Sequence, residues 1–185
     1  MSEFERIYNS VQKDWVTFLT TAKQSSGEYS LIEVELSPGG GVAPHFHTRF
    51  AETFTAIRGQ LSILLEKDIL VLETGASVTA KIGILHRFFN ASQETIRFQV
   101  MLSPGDSNFE NALRTGYGLA SAGKTNAKSM PKNMLELAVL ADWSNTVMPG
   151  PTAKIIKPVF KQLLQLAKYR GVDQRLFKQY CQNNT

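Results

Sequence analysis

The residues of this chain that could do chemistry together are its three histidines and one nearby glutamate. His45 and His47 are one residue apart, Glu52 follows shortly after, and His86 begins the segment "HRFFNAS". Because residues two apart in a strand point to the same side, the imidazoles of His45 and His47 can converge on one point. Three imidazoles and a carboxylate suit a divalent Fe, Mn, Ni, Zn, Co or Cu ion. A His-x-His pair alone would also fit ordinary polar side chains.

The elements that must position these residues are short and β-rich. Segments such as "EYSLIEVELSPGGG", "QLSILLEKDILVLETG" and "TIRFQVMLSPG" are rich in Val, Ile, Leu and Phe and are closed by Gly, Pro, Asn or Asp. Many short strands at this spacing predict a sandwich or a barrel. Inward-facing positions of such a fold can line a cavity as well as fill it.

Two glycine-framed motifs make the pattern more specific. The first, G(X)5HXH(X)3–4E(X)6G, is met by residues Gly39, His45, His47, Glu52 and Gly59. The second, G(X)5PXG(X)2H(X)3N, is met by Gly75, Gly83, His86 and Asn90, with Lys81 in place of the proline. With both motifs in this order, the sequence resembles the cupin superfamily, in particular small single-domain cupins with a conserved barrel and a C-terminal helical extension.

The resemblance implies a mainly β fold, an antiparallel jelly-roll barrel followed by C-terminal α-helices. It covers roughly residues 7–104, which predicts a barrel domain over residues 1–106 and a helical extension over residues 107–185. The family's metal ligands fall on His45, His47, Glu52 and His86, and none of the four is missing. The departure at Lys81 affects a turn rather than a ligand.

The second part of the chain predicts helices. Ser107 can cap a first helix that Gly123 ends, and a second helix is predicted to start near Pro131. An amphipathic helix is predicted in "TAKIIKPVFKQLLQLAKYRG", where Pro158 marks either a kink or the first turn. Asp173 can cap a last short helix. We expect the amphipathic helix to pack on the barrel, with part of it in a homodimer contact.

The resemblance also implies a function. We expect a metal-dependent enzyme that acts on a small organic molecule, with dioxygenase chemistry first, because three histidines and a glutamate resemble the oxygen-using and oxalate-acting cupins. Glu52 can serve as a general base as well as a ligand. Isomerase and decarboxylase chemistry stay open, as does a non-catalytic module that binds or senses a sugar or another metabolite.

Three further residues are candidates for substrate binding. Phe88 and Asn90 would share the face of His86, and Phe54 would share the face of Glu52, since the spacing between them is even. Together they would give the site an apolar wall with one amide. Core packing is the alternative for the two phenylalanines, and a turn is the alternative for Asn90.

Charge and composition exclude several classes. From residue 151 onward the chain has seven Lys or Arg and one Asp, a net charge of +6, whereas residues 1–150 carry 13 basic and 15 acidic residues, a net charge of −2. The part of the chain with the histidines is therefore slightly acidic, which argues against a nucleic-acid partner. No apolar run predicts a membrane span, and no leader peptide is indicated, so we expect a cytoplasmic protein. A single cysteine, Cys181, excludes an internal disulfide.

Overall fold

Strands form the first part of the chain and helices the second. In the computed structural model, which describes residues 4–182 but not the side chains of residues 151–156, the first unit ends at Ser107 and the second begins at Asn108. The described strands are β1 (Arg6–Asn9), β2 (Asp14–Thr20), β3 (Ser30–Leu36), β4 (Ala51–Arg58), β5 (Leu61–Leu65), β6 (Asp68–Leu72), β7 (Ser77–Ala80), β8 (His86–Phe89) and β9 (Ile96–Ser103).

The nine strands make two antiparallel sheets. The larger has the order β1-β2-β3-β9-β4-β7 and the smaller the order β6-β5-β8. Rings from both sheets meet between them, since the centroid of Phe88 lies 6.2 Å from that of Phe54 and 5.0 Å from that of Phe98. This arrangement of two antiparallel sheets is the jelly-roll barrel that the sequence predicts, so the predicted fold class is confirmed.

Strict alternation of buried and half-buried residues explains why the larger sheet forms as it does. Along β3 every second residue from Ser30 to Leu36 is buried, and β9 alternates in the same way. The register places Ile32 opposite Val100 and Val34 opposite Phe98, so their side chains face the same interior. A slip of one residue would turn this whole apolar set outward, which is why burial fixes the register. Full burial of each such side chain contributes about 1.5–3 kcal/mol to the free energy of folding.

The described helices are α1 (Ser107–Ser121), α2 (Met134–Ser144), α3 (Pro151–Tyr169) and α4 (Val172–Tyr180). The second helix starts three residues later than the predicted Pro131, because the side chain of Asn133 caps it by accepting hydrogen bonds from the backbone N–H groups of Leu135 and Glu136 at 2.9 and 3.4 Å. Pro158 lies inside α3 rather than in its first turn.

The second unit has its own core, made by α2, α3 and α4. Val139, Ala167, Val172 and Leu176 are buried, and Trp143 packs against them. Glycine at position 118 in α1 has a packing role, since a methyl group there would overlap the ring of Tyr180. Within residues 4–182, no helix is both long and apolar enough to cross a lipid bilayer.

Candidate metal centre

His45 and His86 are held face to face by the backbone. His45 lies outside the regular strands, in an isolated antiparallel bridge with His86 at the start of β8. The N–H of each residue donates to the C=O of the other, at 3.0 and 2.8 Å. Close approach of the two chain segments continues at Gly41, where an added Cβ would lie 2.7 Å from the carbonyl oxygen of Phe88. The strand predicted around His45 is thus replaced by bridges, which still align the two imidazoles.

A tight turn before β8 positions His47. The N–H of Gly83 donates to the C=O of His47 at 2.8 Å, and the N–H of Ile84 closes the turn onto the C=O of Lys81 at 3.0 Å. Gly83 has a φ of 80°, which a residue with a side chain adopts only at a cost. The turn therefore forms with lysine in place of the motif's proline.

Glu52 enters the same space from β4, where it is buried opposite Ala80 and Leu102. Its Oε2 lies 2.7 Å from Nε2 of His86 and 3.6 Å from Nε2 of His47. The Nε2 atoms of His45 and His47 are 3.1 Å apart. One ligating atom from each of the four residues lies within 4.8 Å of the other three. The structure thus brings together all four residues that the sequence singles out.

Backbone carbonyls orient two of the imidazoles. Nδ1–H of His45 donates to the C=O of Ala43 at 2.8 Å, and Nδ1–H of His86 donates to the C=O of Ile84 at 2.9 Å. Each bond holds its ring so that Nε2 faces the cluster, where Nε2 would bind a metal ion after losing any proton it carries. Second partners of this kind are usual for metal-binding histidines. The ring of Phe50 stacks on that of His47, with centroids 4.5 Å apart.

Burial and mutual charge shift the pKa values within the cluster. Burial lowers the pKa of His45 to about 4 and outweighs the attraction of Glu52. Burial also acts to raise the pKa of Glu52 and lower that of His86, but their hydrogen bond and opposite charges outweigh it. The pKa of Glu52 is therefore lowered and that of His86 raised. When no metal ion is bound, both shifts favour a proton on Nε2 of His86 that is donated to Oε2 of Glu52.

The donor set fits a transition-metal ion. Nitrogen and oxygen ligands of first-row metals lie about 2.1 Å from the ion, so two ligands on opposite sides are about 4.2 Å apart. The four ligating atoms span at most 4.8 Å, so a contraction of a few tenths of an ångström would let them share one ion. A cation at the centre would also offset the desolvation of Glu52 and use the imidazole lone pairs that face one another.

Aromatic side chains border the cluster on its inner side. Phe54 is fully buried, with its ring centroid 5.9 Å from that of His86. Phe88 is half-buried, and its ring contacts those of Phe54 and Phe98. Phe50 was not among the predicted residues, since it precedes β4 and no strand alternation covers it. Its only signal in the sequence is an aromatic residue three positions after His47.

Asn90, the third predicted substrate contact, is engaged elsewhere. Its amide donates to the carbonyl oxygens of Leu36 and Glu94 at 3.0 and 2.7 Å. Its Oδ1 accepts from the N–H and the hydroxyl of Ser92 at 2.9 and 2.8 Å. These four bonds use both donors and both lone pairs of the amide. A structural role in the turn after β8 therefore replaces the expected contact with a ligand.

A groove of about 430 Å³ lies at the other end of β4, lined by Glu35, Arg58, Glu94, Thr95, Ile96 and Arg97. Arg58 is six residues from Glu52 along the strand, which corresponds to about 20 Å. Its mixed charges are on the surface, and none of the four clustered residues lines it. We place the chemistry at the cluster, because its four ligating atoms converge within 4.8 Å of one another, whereas the groove brings together surface charges of both signs.

The fold and the cluster define a class, a jelly-roll barrel with three histidines and one glutamate directed at a common point. The family described as "Cupin domain" matches residues 32–103, which contain all four cluster residues. Residues 32–103 therefore match a cupin domain, and this domain contains the whole cluster. No curated protein matches the sequence of the chain.

Several solved structures resemble the barrel at low sequence identity. KdgF from Halomonas sp. is 14% identical, with a TM-score of 0.48 over 57% of this chain and 89% of its own. An RmlC-like cupin from Shewanella frigidimarina is 18% identical, with a TM-score of 0.47 over 58% of this chain and 87% of its own. A sugar phosphate isomerase of the cupin superfamily from Silicibacter pomeroyi is 18% identical, with a TM-score of 0.48 over 55% of this chain and 71% of its own.

Proposed function

We propose that this protein is a metal-dependent enzyme acting on a small organic molecule, with dioxygenase-like chemistry as the first choice. The observation that carries the proposal is the convergence of four ligating atoms within 4.8 Å. His45, His47, His86 and Glu52 would hold one divalent ion of Fe, Mn, Ni, Zn, Co or Cu. When bound, such an ion supplies Lewis acidity and, if redox-active, an electron-transfer centre.

The chain's own residues would then hold, shield and deprotonate the substrate. Glu52 is the proposed catalytic residue, and its Oε2 could take up a proton because the low pKa of its carboxyl group keeps it ionised near neutral pH. The apolar wall made by Phe54 and Phe88 would keep water from the reacting atoms. His45 is the least buried of the four, so the cluster would be reached from its side.

The lining of the barrel bears on the substrate. Inward-facing residues of β2, β3 and β9 include Val16, Phe18, Ile32, Val34, Phe98 and Val100, all buried and apolar. No buried Lys or Arg is found in the first unit among residues 4–107. Apart from the proposed metal ion, a substrate with several negative charges would find no counter-charge inside the barrel, so we propose a neutral or singly charged molecule.

A non-catalytic metal-binding module is the second candidate. One observation favours it, because Phe54, Phe98 and Ile63 are each no more than 1% exposed and fill the interior beyond the cluster. Such packing leaves the open side near His45 as the place for a ligand. In that case a metabolite would bind there without turnover.

Metal analysis followed by turnover assays tests the proposal. Protein from its native host would be analysed for transition metals, and samples loaded with each candidate ion would be assayed for oxygen uptake with small enols and phenols. The His45→Ala, His86→Ala double variant should lose both metal and turnover, whereas Glu35→Gln, on an exposed carboxylate of β3, should keep both. Protein that neither contains nor binds a transition metal would refute the proposal. Bound metal without turnover would select the second candidate.

A further inference from the structure

Strand β6 is an edge strand with an exposed apolar surface. It ends the smaller sheet next to β5, and the side chains of Ile69 and Val71 are 60% and 53% exposed. Edge strands of soluble proteins usually carry an inward-pointing charge, a proline or a bulge that blocks pairing with another chain. From Ile69 to Leu72 the strand has none of these, and its pairing with β5 is regular.

The free edge offers hydrogen-bonding groups in a defined pattern. Leu65 and Asp68 close the hairpin between β5 and β6 with only two residues in the turn, so they form a hydrogen-bonded pair. Because such pairs alternate along an antiparallel ladder, the N–H and C=O groups of Ile69 and Val71 point away from β5. Within residues 4–182, no backbone hydrogen bond outside the β5 ladder involves these two residues.

A second copy of β6 can pair with this edge in one antiparallel register that matches both apolar and charged side chains. A two-fold axis through Leu70 puts Ile69 opposite the partner's Val71, which makes two hydrogen-bonded pairs with β-branched side chains on one face. The same register puts Lys67, just before the strand, opposite the partner's Glu73. Both residues are exposed, so two opposite-charge pairs flank the apolar centre.

Neighbouring registers lose this complementarity. An axis through Ile69 would put Lys67 opposite the partner's Val71, and an axis through Val71 would put Glu73 opposite the partner's Ile69. Both would keep hydrogen bonds but would bring a charged side chain against an apolar one. Charge therefore selects the register centred on Leu70.

We propose that β6 is a homodimer interface, in which two smaller sheets join edge to edge into one continuous sheet with the order β8-β5-β6-β6-β5-β8. The proposal is independent of any metal at the cluster. Five residues a side make a small interface, so the dimer should be weak, with a dissociation constant on the order of 10–100 µM.

Molar mass as a function of concentration, measured on the full chain by light scattering and sedimentation equilibrium, tests this interface. Wild-type protein should move from 20.6 kDa towards twice that mass as concentration rises. Ile69→Pro should stay monomeric, because the proline removes an N–H at the free edge and leaves the bonds to β5 in place. Ile82→Thr is the matched control, since Ile82 is 52% exposed but lies outside β6. Far-UV circular dichroism would show that each variant is folded.

A charge swap tests the register without touching the strand. Lys67→Glu and Glu73→Lys should each raise the dissociation constant by about tenfold, because each places like charges opposite one another. The double variant should restore it to within about threefold of wild type. Wild-type protein that stays monomeric at about 500 µM would overturn the proposal. A dimer that survives Ile69→Pro, or a double variant that remains as weak as the single ones, would overturn it as well.

Discussion

Buried ionisable side chains occur in both units of the chain, and the two sets differ in how their charges are balanced. In the second unit, the buried carboxylate of Glu110 lies 3.8 Å from the guanidinium of Arg114, one helical turn away. Glu136 of α2 accepts a hydrogen bond from Arg175 of α4 at 3.2 Å. Each carboxylate thus faces a permanent cation supplied by the chain.

The cluster in the first unit instead combines the buried carboxylate of Glu52 with three imidazoles. Two of the three imidazoles donate from Nδ1–H to backbone carbonyls, which directs their Nε2 atoms at the centre of the cluster, where Nε2–H of His86 donates to Glu52. No buried Lys or Arg balances this set among the described residues of the first unit. The comparison teaches that the balanced pairs suit a structural role, whereas the cluster has a place for a cation from outside.

The same substitution in both units should separate the two roles. Glu110→Gln should lower the free energy of unfolding by about 3 kcal/mol, because it removes the carboxylate beside the buried Arg114 side chain. Metal content should not change. Urea denaturation and metal analysis of the purified variant would measure the two effects. A drop in stability below about 1 kcal/mol would show that the pair is not balanced as described.

Glu52→Gln should have the converse effect. Metal affinity should fall by about a hundredfold, because the only anionic ligand is lost. The metal-free protein should lose at most about 1 kcal/mol, since the amide of glutamine can donate to the Nε2 atom of His86 that Glu52 now accepts from. Metal titration by calorimetry and urea denaturation of the metal-free variant would measure both. Unchanged metal affinity would contradict the assignment of Glu52 as a ligand.

Asn90 is a polar residue of the first unit whose bonds are complete, so it should behave like the balanced pairs. Asn90→Asp would put a carboxylate against the carbonyl oxygens of Leu36 and Glu94 and should cost about 2 kcal/mol of stability. Metal affinity should stay within about threefold of wild type. Denaturation and metal titration would check this, and Ser92→Ala, which removes one outer partner of Asn90, is a milder control. A loss of metal affinity without a loss of stability would argue for a role at the site.

The sequence alone predicted the fold class and the four clustered residues, because spacing and glycine placement report directly on both. Four motif glycines, Gly39, Gly59, Gly75 and Gly83, all have positive φ. Turns that only glycine adopts easily leave a mark in sequence that a packing contact does not. The start of α2 differs from the prediction near Pro131, because Pro131 and Asn133 are both typical of helix starts. Only the hydrogen bonds of the structure show that Asn133 is the N-cap.

Other features could not be read from residue types. Whether Asn90 faces a ligand or a turn depends on Leu36, 54 residues away, and sequence order does not report on such a distant partner. The exposed edge of β6 follows from the strand order, since a run such as "DILVL" reads as buried when its neighbours are unknown. The stacking of Phe50 on His47 likewise depends on the fold and could not be read from residue types.

Phe50 should show how far the cluster depends on its surroundings. Its ring stacks on His47 at 4.5 Å and is only 1% exposed, so it limits the rotation of that imidazole. Phe50→Leu keeps the site apolar but loses the flat contact, and metal affinity should fall by about tenfold because His47 must be ordered on binding. Phe18→Leu is the matched control, because Phe18 is equally apolar and buried in β2. Both variants should lose similar stability, so equal metal affinity in the two would mean that the stacked ring does not position His47.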